Sequence, residues 1–197
     1  MKRAQGQRPG PQDGLIRAGL LSARSGSQAT ASRLTSRGTL VRVERGLYQG
    51  ADAEISIHNS LAVVSAKAPK AVITLLSALH FHKLGLERPW QEWIALPRGS
   101  WAPRLTSLRL RVSWLDEAEL AQDVEHHTID GVAVKVFSPA RAVVETFHFF
   151  RQVGLEPALD ALKDYLRCTP NGVQPLMAIA RRRRAYNKMR PYVEALL

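Results

Sequence analysis

The stretch SRGTLVRVERGLYQG, at positions 36–50, constrains the fold of this chain more than any other part of the sequence. Gly38 stands where a polar helix would end, because glycine readily adopts the left-handed conformation that closes a helix. Leu40–Glu44 alternates between two sets of residues, which is typical of a strand with two different faces. A Glu-Arg-Gly turn and a second apolar run follow. The stretch therefore predicts a helix end and then a two-stranded hairpin that exposes Arg42 and Arg45.

The residues before this hairpin predict two helices. Asp13 is expected to cap a short helix over residues 14–21, and a turn is expected over residues 23–26. Ser27 then suits the N-cap of a second helix that ends at Arg37. A helix, a turn with glycine, a polar helix and a basic hairpin form the layout of a winged helix-turn-helix domain. In that layout the second helix reads bases in the major groove, and the hairpin, or wing, neutralises phosphates.

The layout assigns DNA contacts to eight polar residues. Side chains of the second helix are expected to meet base edges, and the flanking arginines are expected to meet the backbone. The residues assigned to bases are Ser27, Gln28, Thr30 and Arg33, and those assigned to phosphates are Arg24, Arg37, Arg42 and Arg45.

Charge is concentrated at the two ends of the 197-residue chain. The formal net charge is +11, of which residues 1–50 carry +7 and residues 181–197 carry +5, while residues 51–180 carry −1. Localised positive charge is the electrostatic footprint of a nucleic-acid-binding protein. Four consecutive arginines, Arg181, Arg182, Arg183 and Arg184, predict a second anionic contact. The alternative is a plain solvated helix end. Four helical residues span about 300° of the circumference and cannot all lie on one solvated face, so this helix is either largely exposed or has at least one arginine paired inward.

The remaining sequence predicts an α+β protein with three parts: a disordered arm over residues 1–12, the winged helix-turn-helix over 13–50, and a larger domain over 51–197. The larger domain is expected to contain a small antiparallel sheet and a helical carboxy-terminal part. Its predicted elements are a helix over 71–86, strands over 92–97 and 108–114, a hairpin around Asp130-Gly131, and helices over 138–151, 154–167, 172–184 and 187–196.

The sequence favours neither a cofactor nor a metal site, and no catalytic residue is expected. The phosphate-binding, dinucleotide-binding, hydrolase and zinc-protease motifs are all absent. The single cysteine, Cys168, allows no disulfide framework, and the paired histidines at 80 and 82 and at 126 and 127 have unsuitable spacing for a metal. The amino terminus lacks a secretory apolar region, and no run reaches the roughly 18 apolar residues of a membrane span. A cytoplasmic protein without membrane partners is expected.

Five segments, in this order, resemble the AbiEi-type family of antitoxins and transcriptional regulators from type IV toxin–antitoxin systems. They are RLTSRGTLVRVERGLY, LLSALHFHKL, WIALPRG, HTIDGVAVKVFSPARAVVE and RPYVEALL. The resemblance implies a winged-helix domain that binds double-stranded DNA of the protein's own promoter and represses its operon. It also implies neutralisation of a nucleotidyltransferase-like toxin without a stable complex.

The segment before Asp13 departs from that pattern, because it is too short and too rich in Gly and Pro for the usual first helix. The domain is then truncated, borrows a helix from residues 54–68, or binds DNA poorly. An interaction module that has lost DNA binding is therefore one alternative function. A nucleic-acid-processing enzyme is the other, with Glu92, Asp130 or Glu145 as metal ligands. The simpler reading assigns Asp130 to its turn and pairs Glu145 with Arg141, four residues earlier.

Overall fold

The structure is a computed structural model that describes residues 14–25 and 29–197. It contains two compact units. The first unit comprises Met1–Pro69, Pro103–Leu108 and His127–Val134, and the second comprises Lys70–Ala102, Arg109–His126 and Lys135–Leu197. Helices and sheets occur together, so the predicted α+β class is confirmed. None of the helices in the described ranges is long and apolar enough to cross a membrane.

The first unit is built on a three-stranded antiparallel sheet. Its elements are β1 (Ile16–Arg17), α1 (Ala18–Ser25), α2 (Thr30–Ser36), β2 (Leu40–Glu44), β3 (Leu47–Gly50) and α3 (Asn59–Lys67), and the sheet order is β1-β3-β2. Leu21 of α1, Ala31 of α2 and Leu40 of β2 form a buried cluster. This cluster fixes both helices to the sheet that contains the hairpin.

The predicted helix over residues 14–21 is wrong in its position. Ile16 pairs with Tyr48 and Arg17 with Leu47, so these two residues form β1, and α1 begins only at Ala18. The backbone of this segment satisfies its hydrogen bonds through the sheet, which a local apolar pattern does not reveal. The turn predicted over 23–26 is also wrong at its start, because α1 continues to Ser25. Asp13 lies outside the described residues.

Helix α3 belongs to the first unit, although the predicted boundary at residue 50 places it in the larger domain. Val63 and Ala66 of α3 form a buried cluster with Leu47 of β3. The guanidinium of Arg17 also donates to the carbonyl oxygen of Ala66 at 2.7 Å. Helix α3 therefore covers apolar surface of β3 and closes this core.

The main sheet has five strands in the order β6-β5-β4-β8-β7. In chain order, its strands and the helices between them are β4 (Val72–Ile73), α4 (Leu75–Phe81), β5 (Glu92–Pro97), β6 (Leu110–Leu115), α5 (Glu117–Leu120), β7 (Val124–Ile129) and β8 (Val132–Phe137). The hairpin predicted around Asp130-Gly131 is confirmed. Both turn residues have positive φ, 48° and 74°, as the tight turn of a two-residue hairpin requires.

Two sequence predictions about this sheet are wrong. The sheet is mixed and not antiparallel, because β5 runs parallel to β6 and β4 runs parallel to β8. In addition, the start of the apolar segment 71–86 forms β4 before α4 begins. Short apolar runs do not distinguish a buried strand from a buried helix, and the pairing of Val72 with Ala95 and of Ile73 with Ile94 decides the matter.

The carboxy-terminal part is helical, as predicted. It consists of α6 (Pro139–His148), α7 (Phe150–Val153), α8 (Leu155–Cys168), α9 (Val173–Arg182) and α10 (Tyr186–Leu196). Ser138 caps α6, since its Oγ accepts the backbone N–H of Arg141, and Pro139 occupies the first helical turn. Helix α6 packs against α4, α8 and α9. Its residues from Ala140 to Phe147 are all buried, so α6 is the central helix of the second unit.

Candidate nucleic-acid interface

The basic hairpin predicted from the opening stretch is present. Strands β2 and β3 are joined by Arg45 and Gly46, and Gly46 has a φ of +75°. The register shifts between Arg42 and Glu44, so the hairpin contains a bulge. Arg42 and Arg45 are exposed, as predicted. Lys67 of α3 donates to the carbonyl oxygen of Arg45 at 2.9 Å, which supports the turn from below.

Helix α2 ends just before Gly38, the glycine that the sequence predicts to close it. Gly38 has a φ of +73°, and its N–H donates to the carbonyl oxygen of Thr35 at 3.0 Å. The N–H of Thr39 donates to the carbonyl oxygen of Leu34 at 2.9 Å. These two bonds form a Schellman motif, which satisfies the last carbonyl groups of the helix and directs the chain into β2.

One face of α2 presents polar side chains. Thr30, Arg33 and Arg37 are spaced by three and four residues, so they lie along the same side of the helix. Arg33 and Arg37 are exposed, and a guanidinium nitrogen of Arg33 lies 3.3 Å from Oγ1 of Thr30. Ala31 and Leu34 lie on the adjoining side of the helix, where they pack into the cluster with Leu21. The helix is thus anchored by one face and open on the other.

Three of the eight residues assigned to DNA contacts cannot be placed on this surface. Ser27 and Gln28 lie outside the described residues, so α2 is first seen at Thr30, with Ala29 in the N-cap position and without a side-chain cap. Arg24 lies in α1 and not in a turn, and its side chain is outside the described set. The five assigned residues that can be placed are the partly buried Thr30 and the exposed Arg33, Arg37, Arg42 and Arg45, and these four arginines form the open basic surface of the described first unit.

Glu44 is the residue of this region whose environment the sequence did not reveal. It is buried at 3% exposure, and its carboxylate accepts the backbone N–H groups of Thr106 at 2.6 Å and Ser107 at 2.7 Å. The hydroxyl of Ser107 donates at 2.8 Å, and that of Thr106 at 3.1 Å. Burial by itself raises the pKa of Glu44. The hydrogen bonds together outweigh that effect and hold the pKa at about 2.

The position of Glu44 has an electrostatic consequence for the hairpin. Glu44 is the only acidic residue in the segment 36–50, and neutral donors occupy its carboxylate. Among the described residues, none of the guanidinium groups of Arg33, Arg37, Arg42 and Arg45 pairs with a carboxylate. Their charges are therefore left available to an external anion. The sequence could not signal this, because Thr106 and Ser107 are more than 60 residues away.

The second basic segment, Arg181–Arg184, has a different environment. Arg183 is 6% exposed, and its guanidinium makes a bidentate contact with Glu145, with Nε at 2.7 Å from Oε1 and Nη2 at 3.2 Å from Oε2. A further nitrogen of Arg183 donates to Glu119 at 2.5 Å. Arg183 is therefore the arginine that pairs inward, as the sequence allowed, and its guanidinium is not available for the predicted second anionic contact.

The other arginines of this segment remain at the surface. Arg182 is half exposed and contacts both carboxylate oxygens of Asp123, at 2.8 and 3.0 Å. Arg181 lies over the ring of Tyr186, 4.5 Å from its centroid. Arg184 is exposed at the end of α9, with a φ of +54°. The predicted second anionic surface is therefore reduced to these three side chains, one of which already has a carboxylate partner.

Glu145 contacts two buried arginines, Arg141 of the same helix α6 and Arg183 at the end of α9. Nε of Arg141 lies 2.6 Å from Oε1 of Glu145, and neither side chain is exposed. The predicted pairing of Arg141 with Glu145 is confirmed, although it is a buried ion pair and not a surface one. The guanidinium of Arg141 also lies over the ring of Phe137, 4.7 Å from its centroid. Burial lowers the pKa of the neighbouring His148 below its usual value.

The carboxylates named for the enzyme alternative each have partners within their own unit. Glu92 accepts the hydroxyl of Ser77 at 2.6 Å. Asp130 forms its turn and accepts the side-chain amide of Asn59 at 2.8 Å. Glu145 is occupied by arginines, which are not metal ligands. Within the described ranges, no group of three or more His, Cys, Asp or Glu residues has an arrangement that could hold a metal ion.

Comparison with known proteins identifies similarity of fold. No protein-family model matches the chain, and no curated protein matches it. Among solved structures, the chain is similar to the crystal structure of the RV2827C protein from Mycobacterium tuberculosis. The two are 13% identical, with a TM-score of 0.55 over 91% of this chain and 75% of that chain. At this level of identity the similarity concerns the fold alone.

Proposed function

We propose that this protein is a DNA-binding transcriptional regulator that acts as the antitoxin of a type IV toxin–antitoxin system. It represses its own operon and counters a nucleotidyltransferase-like toxin. The observation that carries the DNA-binding part is the open surface of the first unit. Helix α2 presents Arg33 and Arg37 on one face, and the hairpin that follows it directly presents Arg42 and Arg45.

The order of elements supports a winged helix-turn-helix reading of this unit. Such domains place a short strand before two helices and a two-stranded wing after them, which corresponds to β1, α1, α2, β2 and β3. In this proposal α2 is the recognition helix and the hairpin is the wing. Helix α3 supplies the core contact that an amino-terminal first helix usually makes, because Val63 and Ala66 pack against Leu47 of β3.

The antitoxin part of the proposal derives from the family resemblance. The resembling segments coincide with elements of the second unit: LLSALHFHKL contains α4, WIALPRG contains β5, and SPARAVVE begins α6. The segment SPARAVVE includes Arg141 and Glu145, whose buried ion pair joins α6 to Arg183. The resembling residues therefore belong to the core of the second unit, and their role in this proposal is to maintain the surface that counters the toxin.

The DNA-binding part is tested with the hairpin arginines. Arg42→Ala/Arg45→Ala should weaken binding to all duplexes alike and flatten the plot of log affinity against log salt by nearly two units, because each phosphate contact contributes about 0.9. Gel-shift titrations on the protein's own promoter and on an unrelated duplex, at several salt concentrations, measure both effects. Arg167→Ala is the matched control, since Arg167 is an exposed arginine on α8 of the second unit. An unchanged salt slope in the double variant would place the DNA contact elsewhere.

The antitoxin part requires a separate experiment. The gene beside this one is examined for a nucleotidyltransferase-like reading frame, which is then expressed alone and together with the full chain. Growth arrest by the toxin alone and recovery on co-expression are expected, and co-purification of a stable complex is not. Arrest that persists in the presence of the chain would exclude the antitoxin role while leaving DNA binding unaffected.

A further inference from the structure

The second unit contains a cavity of about 340 Å³ beside the short helix α5. Its floor is apolar and is formed by Val72, Pro97, Leu120 and Val124. Val72 and Leu120 belong to a buried hydrophobic cluster, and Val124 packs against it. The floor is therefore part of the core and has a fixed shape. A volume of this size lies in the range of small-molecule sites, which are mainly apolar with a few polar groups that orient the ligand.

Three basic side chains line the same cavity: Lys70, His126 and Lys135. Lys135 lies between Val134 and Val136, which are buried, so alternation along β8 directs the lysine away from them. His126 follows Val124 by two residues on β7 and shares its face. Strands β7 and β8 and the turn before β4 thus bring basic groups to one apolar depression.

The two lysines of the cavity lining have no partners within the described residues that would explain their position. Among the residues that the structure describes, neither Lys70 nor Lys135 forms an ion pair or a side-chain hydrogen bond. Glu117 is the one acidic residue in the lining, and it is exposed at the start of α5. Like charges at one site repel each other, so the arrangement favours an anionic occupant.

We propose that this cavity binds a nucleoside phosphate. The two lysines would contact the phosphate oxygens, and the floor of Val72, Pro97, Leu120 and Val124 would contact the flat face of the base. Two separate ammonium groups act as point charges and suit a phosphate with several oxygens, whereas a planar carboxylate is matched best by the bidentate fork of arginine. The site goes beyond the proposed DNA-binding function, since it uses none of the arginines of the first unit.

The experiment is isothermal titration calorimetry of the full chain with ATP, GTP, CTP and UTP, and with inorganic triphosphate and adenosine as partial ligands. At least one nucleotide should bind more tightly than either partial ligand. Lys70→Gln/Lys135→Gln should weaken nucleotide binding by about tenfold or more, because both charge-assisted hydrogen bonds to the phosphate are lost. Lys163→Gln, which changes an exposed lysine of α8 outside the cavity lining, should have no effect.

A third variant tests the apolar floor without altering a buried residue. Ala121 is exposed and lines the cavity, so Ala121→Phe should fill the base position. It should weaken nucleotide binding by about tenfold, which is a loss of about 1.4 kcal/mol in binding free energy. Binding of inorganic triphosphate should be retained. All variants are compared at equal folded fraction, determined by urea unfolding.

Three results would overturn the proposal. One is the absence of nucleotide binding at millimolar concentration. Another is equal affinity for inorganic triphosphate and nucleotides, which would show that the floor is not used. The last is binding that Lys70→Gln/Lys135→Gln leaves unchanged but Arg42→Ala/Arg45→Ala removes, which would assign the nucleotide to the basic surface of the first unit. Loss of promoter binding alone leaves this proposal intact, so the two proposals fail independently.

Discussion

Arginines are concentrated in two parts of the sequence, residues 33–45 and residues 181–184, and the two parts differ in the carboxylate partners that the fold gives them. Arg33, Arg37, Arg42 and Arg45 have no carboxylate partner among the described residues. Arg183, in contrast, is buried between Glu145 and Glu119. The difference lies in the acids: Glu44 is occupied by hydroxyl and N–H donors, whereas Glu145 is occupied by arginines. A run of positive charge therefore stays available to an external anion only where the fold keeps carboxylates away from it.

Removal of the Glu145 carboxylate, at the centre of the second unit, should have the largest effect on the free energy of unfolding. Glu145→Gln removes the buried carboxylate that Arg141 and Arg183 share, so Arg141 keeps only Asp123, at 3.5 Å, and Arg183 keeps only the partly exposed Glu119. This should lower the free energy of unfolding by about 3–5 kcal/mol. Urea unfolding measures the change. Glu117→Gln, on the exposed side of α5, is the control. A loss below about 0.5 kcal/mol for Glu145→Gln would mean that the buried arginines do not depend on this carboxylate.

Replacement of Glu44, the buried carboxylate of the first unit, should have a smaller effect on the free energy of unfolding. Glu44→Gln keeps the shape of the side chain but places an amide donor where donors already point, and it should cost about 1–3 kcal/mol at neutral pH. Urea unfolding at neutral pH tests this value, with Glu54→Gln, an exposed acid of the same unit, as the control.

The pH dependence sharpens the same test. The pKa of Glu44 is lowered from 4.5 to about 2 on folding. Its contribution to stability is fully present above pH 4.5 and is lost as the pH falls toward 2. The difference between the wild type and Glu44→Gln should therefore shrink across that interval. A difference that stays constant from neutral pH to pH 3 would contradict the low pKa.

Arg33 tests whether the open arginines of the first unit differ from one another. Arg33→Ala should relax base preference at one operator position by about 1–3 kcal/mol, because a guanidinium can contact guanine with two hydrogen bonds. A scan of single base changes in the promoter, read by competition binding, locates the position. Arg37→Ala, on the same face of α2, should instead weaken binding evenly. Uniform loss for Arg33→Ala would reassign it to a phosphate.

The smallest effect is expected at the exposed pair of the second basic segment. Arg182 is 48% exposed and contacts Asp123, so Arg182→Gln should change the free energy of unfolding by less than about 1 kcal/mol. The same variant should flatten the salt slope of DNA binding by at most about one unit. A change as large as that of Arg42→Ala/Arg45→Ala would make this segment a second DNA surface equal to the hairpin and would break the comparison.

Local signals in the sequence correctly predicted several elements. Gly38 marked the end of α2, Asp130-Gly131 marked the β7–β8 turn, and Ser138-Pro139 marked the start of α6. In each case neighbouring residues supply both the conformational preference and the hydrogen bonds that satisfy it. The expected exposure of Arg42 and Arg45 has the same origin, since the hairpin that contains both residues is defined within a few residues.

Only the tertiary structure decided the features that depend on distant partners. Ile16-Arg17 became a strand because β3 pairs with it, and Val72-Ile73 became a strand because β5 and β8 flank it. The parallel strand pairs, the donors around Glu44 and the burial of Arg183 arise in the same way. The sequence by itself determined where positive charge is placed along the chain. Whether that charge faces solvent or a buried carboxylate depends on which residues folding brings together, because ionic and hydrogen-bonding energies follow distance in space and not separation in sequence.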